Sequence, residues 1–239
     1  MIKFINVLLF FVMIVINYLA NALPLNNKTT GELSDMYPNL FVPAGVTFSI
    51  WGIIYLLLLA FCIIQFTASN QELISRISLL FGISCVLNSA WIVFWHYEKL
   101  PLSLAVMTGL LITLIIINTR MTGTPPGLIK AAFGIYLGWI CIATIANTTA
   151  LLVNYNFNIP GVAEEVWTII MIISGALITG WVLYSLRNPF IGFAVIWAFI
   201  GIAIKRQDDY RSIFLMAVVA LIIIVVVTLW GFIRKSTTV

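Results

Sequence analysis

The residues best suited to bind a ligand are aromatic and amide side chains at helical spacing within apolar segments. Between Val42 and Tyr55, the rings of Phe48, Trp51 and Tyr55 follow at spacings of three and four, so they share one helical face. Contact with lipid needs only aliphatic bulk, whereas an indole N–H and a phenol O–H suit a face turned to protein or ligand. The alternative interpretation is an aromatic belt at the membrane interface, followed by ordinary helix packing.

Two later segments combine rings with amides in the same way. Asn88, Trp91 and Trp95 share one face of the first. The second carries a stripe of similar residues: Tyr136, Trp139, Ala143, Ala146 and Asn147. On an adjoining face Gly134 and Gly138 form a small-xxx-small pair, which predicts the close approach of another helix. The amides either hold a helix bundle together by hydrogen bonds or contribute to a pocket with flat aromatic walls that suits a planar apolar ligand.

The composition of the chain is typical of a membrane protein. Of 239 residues, 62% are hydrophobic and 8% are charged, with a mean hydropathy of +1.13, whereas soluble domains carry about 25% charged residues. We therefore predict an all-α, polytopic bundle, and the net charge of +4 concerns topology rather than nucleic acid. No nucleotide-binding glycine motif or metal-ligand spacing occurs, so we expect no catalytic residue, metal or cofactor.

A transmembrane helix needs about 20 apolar residues. We predict about eight such spans: 4–20, 46–66, 77–95, 102–118, 128–153, 166–186, 189–205 and 212–233. The seventh would be only about 25 Å long, so a re-entrant segment is the alternative. The first could instead be a signal peptide, because Ala20-Asn21-Ala22 has the small-x-small form of a cleavage site.

Eight spans place both termini on one side, and the positive-inside rule favours the cytoplasm. Seven basic residues then lie inside: Lys3, Arg76, Arg120, Lys130, Arg187, Arg234 and Lys235. Five lie outside: Lys28, Lys99, Lys205, Arg206 and Arg211. If the seventh segment did not cross, the split would become eight against four, so this count alone does not decide the number of spans.

At these segments the chain resembles the TspO/MBR family, the tryptophan-rich sensory proteins related to the mitochondrial translocator protein. Three ordered blocks carry the resemblance: Pro43-Ala44-Gly45…Phe48…Trp51…Tyr55, Asn88…Trp91…Phe94, and Tyr136-Leu137-Gly138-Trp139…Ala143-Thr144…Asn147. They lie on the second, third and fifth predicted spans, as in the family. The chain departs from the family's pattern at Ala44 and Ile135, where the family has proline, and at Ile142, where it has phenylalanine.

The resemblance covers about residues 1–155 and implies a five-helix bundle, with residues 156–239 as a three-helix extension. A bundle of this type needs its first helix, so we predict that residues 4–20 stay attached. The resemblance also implies a cavity that opens toward the long first loop and binds tetrapyrroles, sterols or similar flat molecules. The residues expected to bind the ligand are Trp51, Tyr55, Asn88, Trp91, Trp139, Ala143 and Asn147.

The leading hypothesis is an integral membrane receptor, sensor or carrier for a planar hydrophobic ligand such as a porphyrin. One alternative is a membrane scaffold without a ligand. Another is a porphyrin-degrading enzyme, since some members of the family are reported to promote porphyrin breakdown, but we do not predict that this chain is an enzyme. The expected location is the bacterial cytoplasmic membrane, with lipid and the planar ligand as partners, no nucleic acid, and a homodimer left open.

Overall fold

The computed structural model describes residues 1–22, 25–67, 71–157 and 160–234, which form helices joined by short loops. Nine α-helices lie within this part of the chain. They are α1 (Ile2–Ala22), α2 (Thr30–Asp35), α3 (Ile50–Ile64), α4 (Gln71–His96), α5 (Leu100–Arg120), α6 (Leu128–Asn154), α7 (Glu164–Leu186), α8 (Phe190–Arg206) and α9 (Arg211–Ile233). A 3₁₀ turn, Gly45–Ser49, leads directly into α3. The predicted all-α bundle is confirmed.

Seven helices in the described residues are long and apolar enough to cross a membrane: α1, α3 with its 3₁₀ turn, α4, α5, α6, α7 and α9. Each corresponds to a predicted span. The short predicted seventh segment is α8, which has 17 residues and does not reach that length. The count by length and composition is therefore one below the expected eight.

Contacts at its two ends show how α8 runs. Asn188, just before α8, donates to Asn118 at the end of α5 at 2.7 Å. At the other end of α8, Arg206 donates to the carbonyl oxygens of Asn39 and Leu40 in the loop before α3. These partners lie at opposite ends of the bundle, so α8 traverses it. A re-entrant segment would instead return to the end where it began.

The two ends of the bundle differ in charge. We use the name basic end for the end of the bundle at which α1, α6 and α8 begin. The opposite end contains the cavity described below, and we call it the cavity end. Among the described residues the basic end carries six cations: Lys3, Arg76, Arg120, Lys130, Arg187 and Arg234. Its acidic residue is Glu72, and the other seven acidic residues are at the cavity end. Lys235, which was counted with the inside charges, lies outside the described residues.

Helix α8 packs closely on both α6 and α9 because a glycine lies at each contact. A Cβ atom at Gly138 of α6 would overlap the carbonyl oxygen of Ile191, and one at Gly192 of α8 would overlap the side chain of Thr228 on α9. A Cβ atom at Gly134 would likewise meet the Asn188 amide. The close approach predicted from the Gly134–Gly138 pair is confirmed, and its partner is α8.

Candidate functional site

A cavity lies at the cavity end between α3, α4 and α6, and the chain from Thr30 to Phe48 covers it. Its volume is about 60 Å³. Its lining is Thr30, Ser34, Asn39, Val42, Pro43, Phe48, Trp51, Trp91, Trp95, Trp139, Ile142, Ala143, Ala146, Asn147 and Ala150. None of these described residues is ionisable.

Trp51 lies at the centre of the aromatic wall. Its ring stacks on Trp91 with centroids 5.9 Å apart and planes 27° from parallel. It meets Trp139 edge to face, at 6.3 Å and 84°. Phe48, one turn earlier, contacts Trp139 at 6.0 Å in the same manner. Offset and edge-to-face ring pairs are favourable geometries, so these indoles support one another across three helices.

The same cavity contains buried polar atoms without partners. The indole N–H groups of Trp91, Trp95 and Trp139 make no hydrogen bond within the described residues, and neither does the side-chain oxygen of Asn147. These residues are 6%, 7%, 3% and 3% exposed, respectively. A buried polar group left unpaired costs about 1–3 kcal/mol. Three donors and one acceptor, all on residues that line one cavity, are therefore left without partners within the described residues.

Asn88 has a different environment, although it shares a helix face with Trp91. Its oxygen accepts from the Asn17 amide of α1 at 2.8 Å, and its nitrogen donates to the Tyr136 hydroxyl of α6 at 3.0 Å. We call Asn17, Asn88 and Tyr136 the asparagine network. The network joins three helices, and Asn88 is fully buried and does not line the cavity.

Of the seven residues predicted to bind ligand, the structure brings five to the cavity: Trp51, Trp91, Trp139, Ala143 and Asn147. It does not bring Asn88 or Tyr55 there. Tyr55 stacks on Trp51, with centroids 5.5 Å apart. The reason is depth, because residues three or four positions apart share a helix face but lie a full turn apart along the axis. Both residues support the aromatic wall from the layer beneath.

The outer wall of the cavity is held by α8. The Arg206 guanidinium donates to the Leu40 and Asn39 carbonyls at 3.0 and 2.9 Å. The Trp197 indole donates to the Thr47 carbonyl at 2.9 Å, and the backbone N–H of Ala44 donates to the Gly201 carbonyl at 3.0 Å. We call residues 39–47 the cover loop. Sequence reasoning missed this role of α8, since it treated Arg206 only as a loop charge.

A second attachment holds the chain before the cover loop. Thr29 and Glu32 form a capping box at the start of α2. Tyr37 packs on Trp95, with centroids 6.0 Å apart. Burial raises the pKa of Tyr37, and the nearby Glu98 carboxylate raises it further. This covering segment buries Trp95, which is 7% exposed.

The family model described as "TSPO-like protein" matches residues 3–230. The chain belongs to the TSPO-like protein family. The match extends through α8 and most of α9, beyond the residues 1–155 where the sequence motifs lie. No curated protein and no solved structure matches the chain.

As a TSPO-like protein with seven apolar, membrane-length helices in its described residues, the chain is an integral multi-pass membrane protein. The division at residue 155 stays a prediction. In the structure, α8 packs on α6 and holds the cover loop, so the last helices contribute to the shape of the cavity. That residues 4–20 stay attached, with cleavage as the alternative, also stays a prediction, and within the described fold α1 contributes Asn17 to the asparagine network.

Proposed function

We propose that this TSPO-like protein is a membrane receptor or sensor that binds a planar, largely apolar ligand in the cavity between Trp51, Trp91 and Trp139. The observation that carries the proposal is the set of unpaired indole N–H groups around one apolar cavity. A helix scaffold would be expected to pair such groups, as the asparagine network does. A ligand with several acceptor atoms satisfies the donors, and aromatic walls hold its flat face.

This donor set favours a tetrapyrrole over a sterol-like molecule. A sterol offers one hydroxyl group, whereas a porphyrin offers carboxylate oxygens in addition to its flat ring. The residues that line the cavity carry three unpaired donors, on Trp91, Trp95 and Trp139, and one unpaired acceptor, on Asn147. Family membership supports the same ligand class, through the cavity that the resemblance implies.

Binding requires the cavity to widen. Its volume of about 60 Å³ is well below the roughly 300–1,000 Å³ of small-molecule pockets. The inner wall consists of helices packed around buried rings, whereas the outer wall is the cover loop and α2. We propose that the outer wall moves on binding, because a loop and a six-residue helix open more readily than long helices packed on one another.

We further propose that the membrane is a bacterial cytoplasmic membrane and that the basic end faces the cytoplasm. Support comes from the charge asymmetry, with six described cations and Glu72 at the basic end and the other acidic residues at the cavity end. The cavity then opens toward the extracytoplasmic side. A reporter fused after Val239 should respond as cytoplasmic.

The decisive experiment is a titration of the purified protein with protoporphyrin, followed by the Soret band of the porphyrin. We expect saturable binding by the parent protein. Trp51→Leu and Trp139→Leu keep apolar bulk but remove the stacking surface and, at position 139, a donor. Each should weaken affinity by about tenfold, the equivalent of about 1.4 kcal/mol.

The matched control is Trp181→Leu, because Trp181 is 70% exposed on α7 and does not line this cavity. Its affinity should equal that of the parent. The receptor proposal fails if the parent shows no saturable binding, or if the control weakens binding as much as the two cavity variants. The scaffold alternative would be supported if the parent protein bound no porphyrin and the two cavity variants had lower melting temperatures than the parent.

A further inference from the structure

A second pocket lies at the basic end, between the start of α6, the end of α7 and the end of α9. Its volume is about 230 Å³. Three cations line it, Lys130, Arg187 and Arg234, and no acidic side chain is among its described lining residues. The remaining lining is Gly123, Thr124, Pro126, Leu183, Tyr184, Pro189, Trp230, Gly231, Phe232 and Ile233.

Lys130 is the most unusual of these cations because it is 4% exposed. Its ammonium donates to the carbonyl oxygens of Thr124 and Arg187 at 2.8 and 3.0 Å. Among the described residues no carboxylate lies within ion-pair distance of it. A buried charge is costly unless an opposite charge compensates it, and two neutral carbonyls do not supply one. An ammonium also has three donors, so one remains for a further partner.

The rest of the pocket also favours an anion. Helices α6 and α8 both begin here, at Leu128 and Phe190, and the start of a helix carries partial positive charge. The guanidinium of Arg234 lies 4.5 Å from the Tyr184 ring and 5.1 Å from the Trp230 ring. These rings are stacked with planes 1° apart, so they present the guanidinium at the mouth of the pocket.

The pocket opens to the outer surface of the bundle. Tyr184, Trp230 and Ile233, which line it, are exposed on the faces of α7 and α9 that would meet lipid. Exposed tyrosine and tryptophan are typical of the level of lipid headgroups. A ligand whose anionic group enters the pocket can therefore lay an apolar tail along these helices.

We propose that this basic pocket binds a phosphate group, carried by an anionic phospholipid of the leaflet at the basic end or by free phosphate. Basic pockets between transmembrane helices on the cytoplasmic side commonly bind anionic headgroups. The site is separate from the tryptophan cavity, which lies at the opposite end of the bundle, and it does not depend on porphyrin binding.

The test uses the purified full-length protein in a neutral detergent, with three probes: phosphatidylglycerol, phosphatidylcholine and inorganic phosphate. Native mass spectrometry counts the retained lipid, and melting temperature reports binding. We expect phosphatidylglycerol to be retained and to raise the melting temperature more than phosphatidylcholine does. Stabilisation by inorganic phosphate alone would assign the site to the free anion, and stabilisation only by phosphatidylglycerol would assign it to lipid.

Two variants locate the binding. Arg234→Gln removes the cation at the mouth without disturbing a buried group and should weaken anion binding about fivefold. Lys130→Gln should weaken it further, with the melting temperature of the ligand-free variant measured to separate binding from folding. The matched control is Arg76→Gln, which removes an exposed cation from the same end outside the pocket. Equal effects of Arg234→Gln and Arg76→Gln, or equal retention of both lipids, would overturn the proposal.

Discussion

Two layers of the same helices, one turn apart, treat their polar groups in opposite ways. In the asparagine network, Asn88 and Tyr136 are paired with each other, and Asn88 is also paired with Asn17. One turn toward the cavity end, Trp91 follows Asn88 on α4 and Trp139 follows Tyr136 on α6, and both indoles lack a partner in the described structure. The paired layer is suited to holding helices together, and the unpaired layer is suited to the ligand binding proposed above.

This difference distinguishes two roles of polar residues, joining helices and lining a pocket, that the sequence pattern does not distinguish. Amides and rings at helical spacing fit both a scaffold and a pocket, and the chain contains both on the same faces. Hydrogen bonding distinguishes them, since a group satisfied within the fold gains little from a ligand, whereas an unsatisfied group gains a full partner. Three variants test this comparison.

The largest expected effect is on stability, from Asn88→Leu. The substitution removes the hydrogen bond to Asn17 and leaves the Tyr136 hydroxyl buried without its partner. We expect a loss of about 1–3 kcal/mol in unfolding free energy, measured as a lower melting temperature in detergent. Trp139→Phe is the matched variant from the unpaired layer, because it removes an N–H that has no partner. It should lower stability less and porphyrin affinity more, and the reverse order would contradict the comparison.

An intermediate effect is expected at the cover loop. Arg206→Gln removes the guanidinium that donates to the Asn39 and Leu40 carbonyls. We expect faster amide hydrogen exchange confined to residues 39–47, with little change in the helices, because the loop loses two of its hydrogen bonds to α8. Exchange measured by mass spectrometry tests this, with Arg211→Gln as the charge-matched control, because Arg211 is an exposed cation at the same end of the bundle. Unchanged exchange in the loop would show that α8 does not hold the outer wall.

The smallest effect concerns Tyr37, which packs on Trp95 beside the cavity. Burial and Glu98 raise the pKa of Tyr37 in the fold above its unfolded value of about 10. The resulting stability is fully present below the unfolded pKa and is lost as pH rises through the folded pKa. Parent protein should therefore lose melting temperature more steeply than Tyr37→Phe above about pH 10. The prediction is refuted if the melting temperatures of the parent and Tyr37→Phe fall equally between pH 8 and pH 11.

The lengths of the apolar runs were sufficient to predict the helices long enough to span the membrane, and the family resemblance grouped Trp51, Trp91 and Trp139 around one cavity. Helical periodicity placed rings and amides on one helix face. It could not predict the depth of Asn88 or Tyr55, because periodicity gives the face of a residue and not its partners. The attachment of Arg206 to the cover loop joins positions 166 and 167 residues apart, which no local pattern encodes. Lys130 had the pattern of an ordinary cation near a helix start, and only the packing of α7 and α9 around it reveals its burial.

The short α8 has a consequence for biogenesis. Its 17 residues pack on α6, made before it, and on α9, made after it, with glycine contacts on both sides. A segment of 17 residues is at the lower limit for spanning a bilayer, so we expect α8 to be held firmly only after α9 has been synthesised and packs on it. Because α8 also carries the attachments of the cover loop, the nascent chain would keep its tryptophans open until synthesis is nearly complete. A ligand present during translation would meet an unobstructed entrance that the finished protein closes.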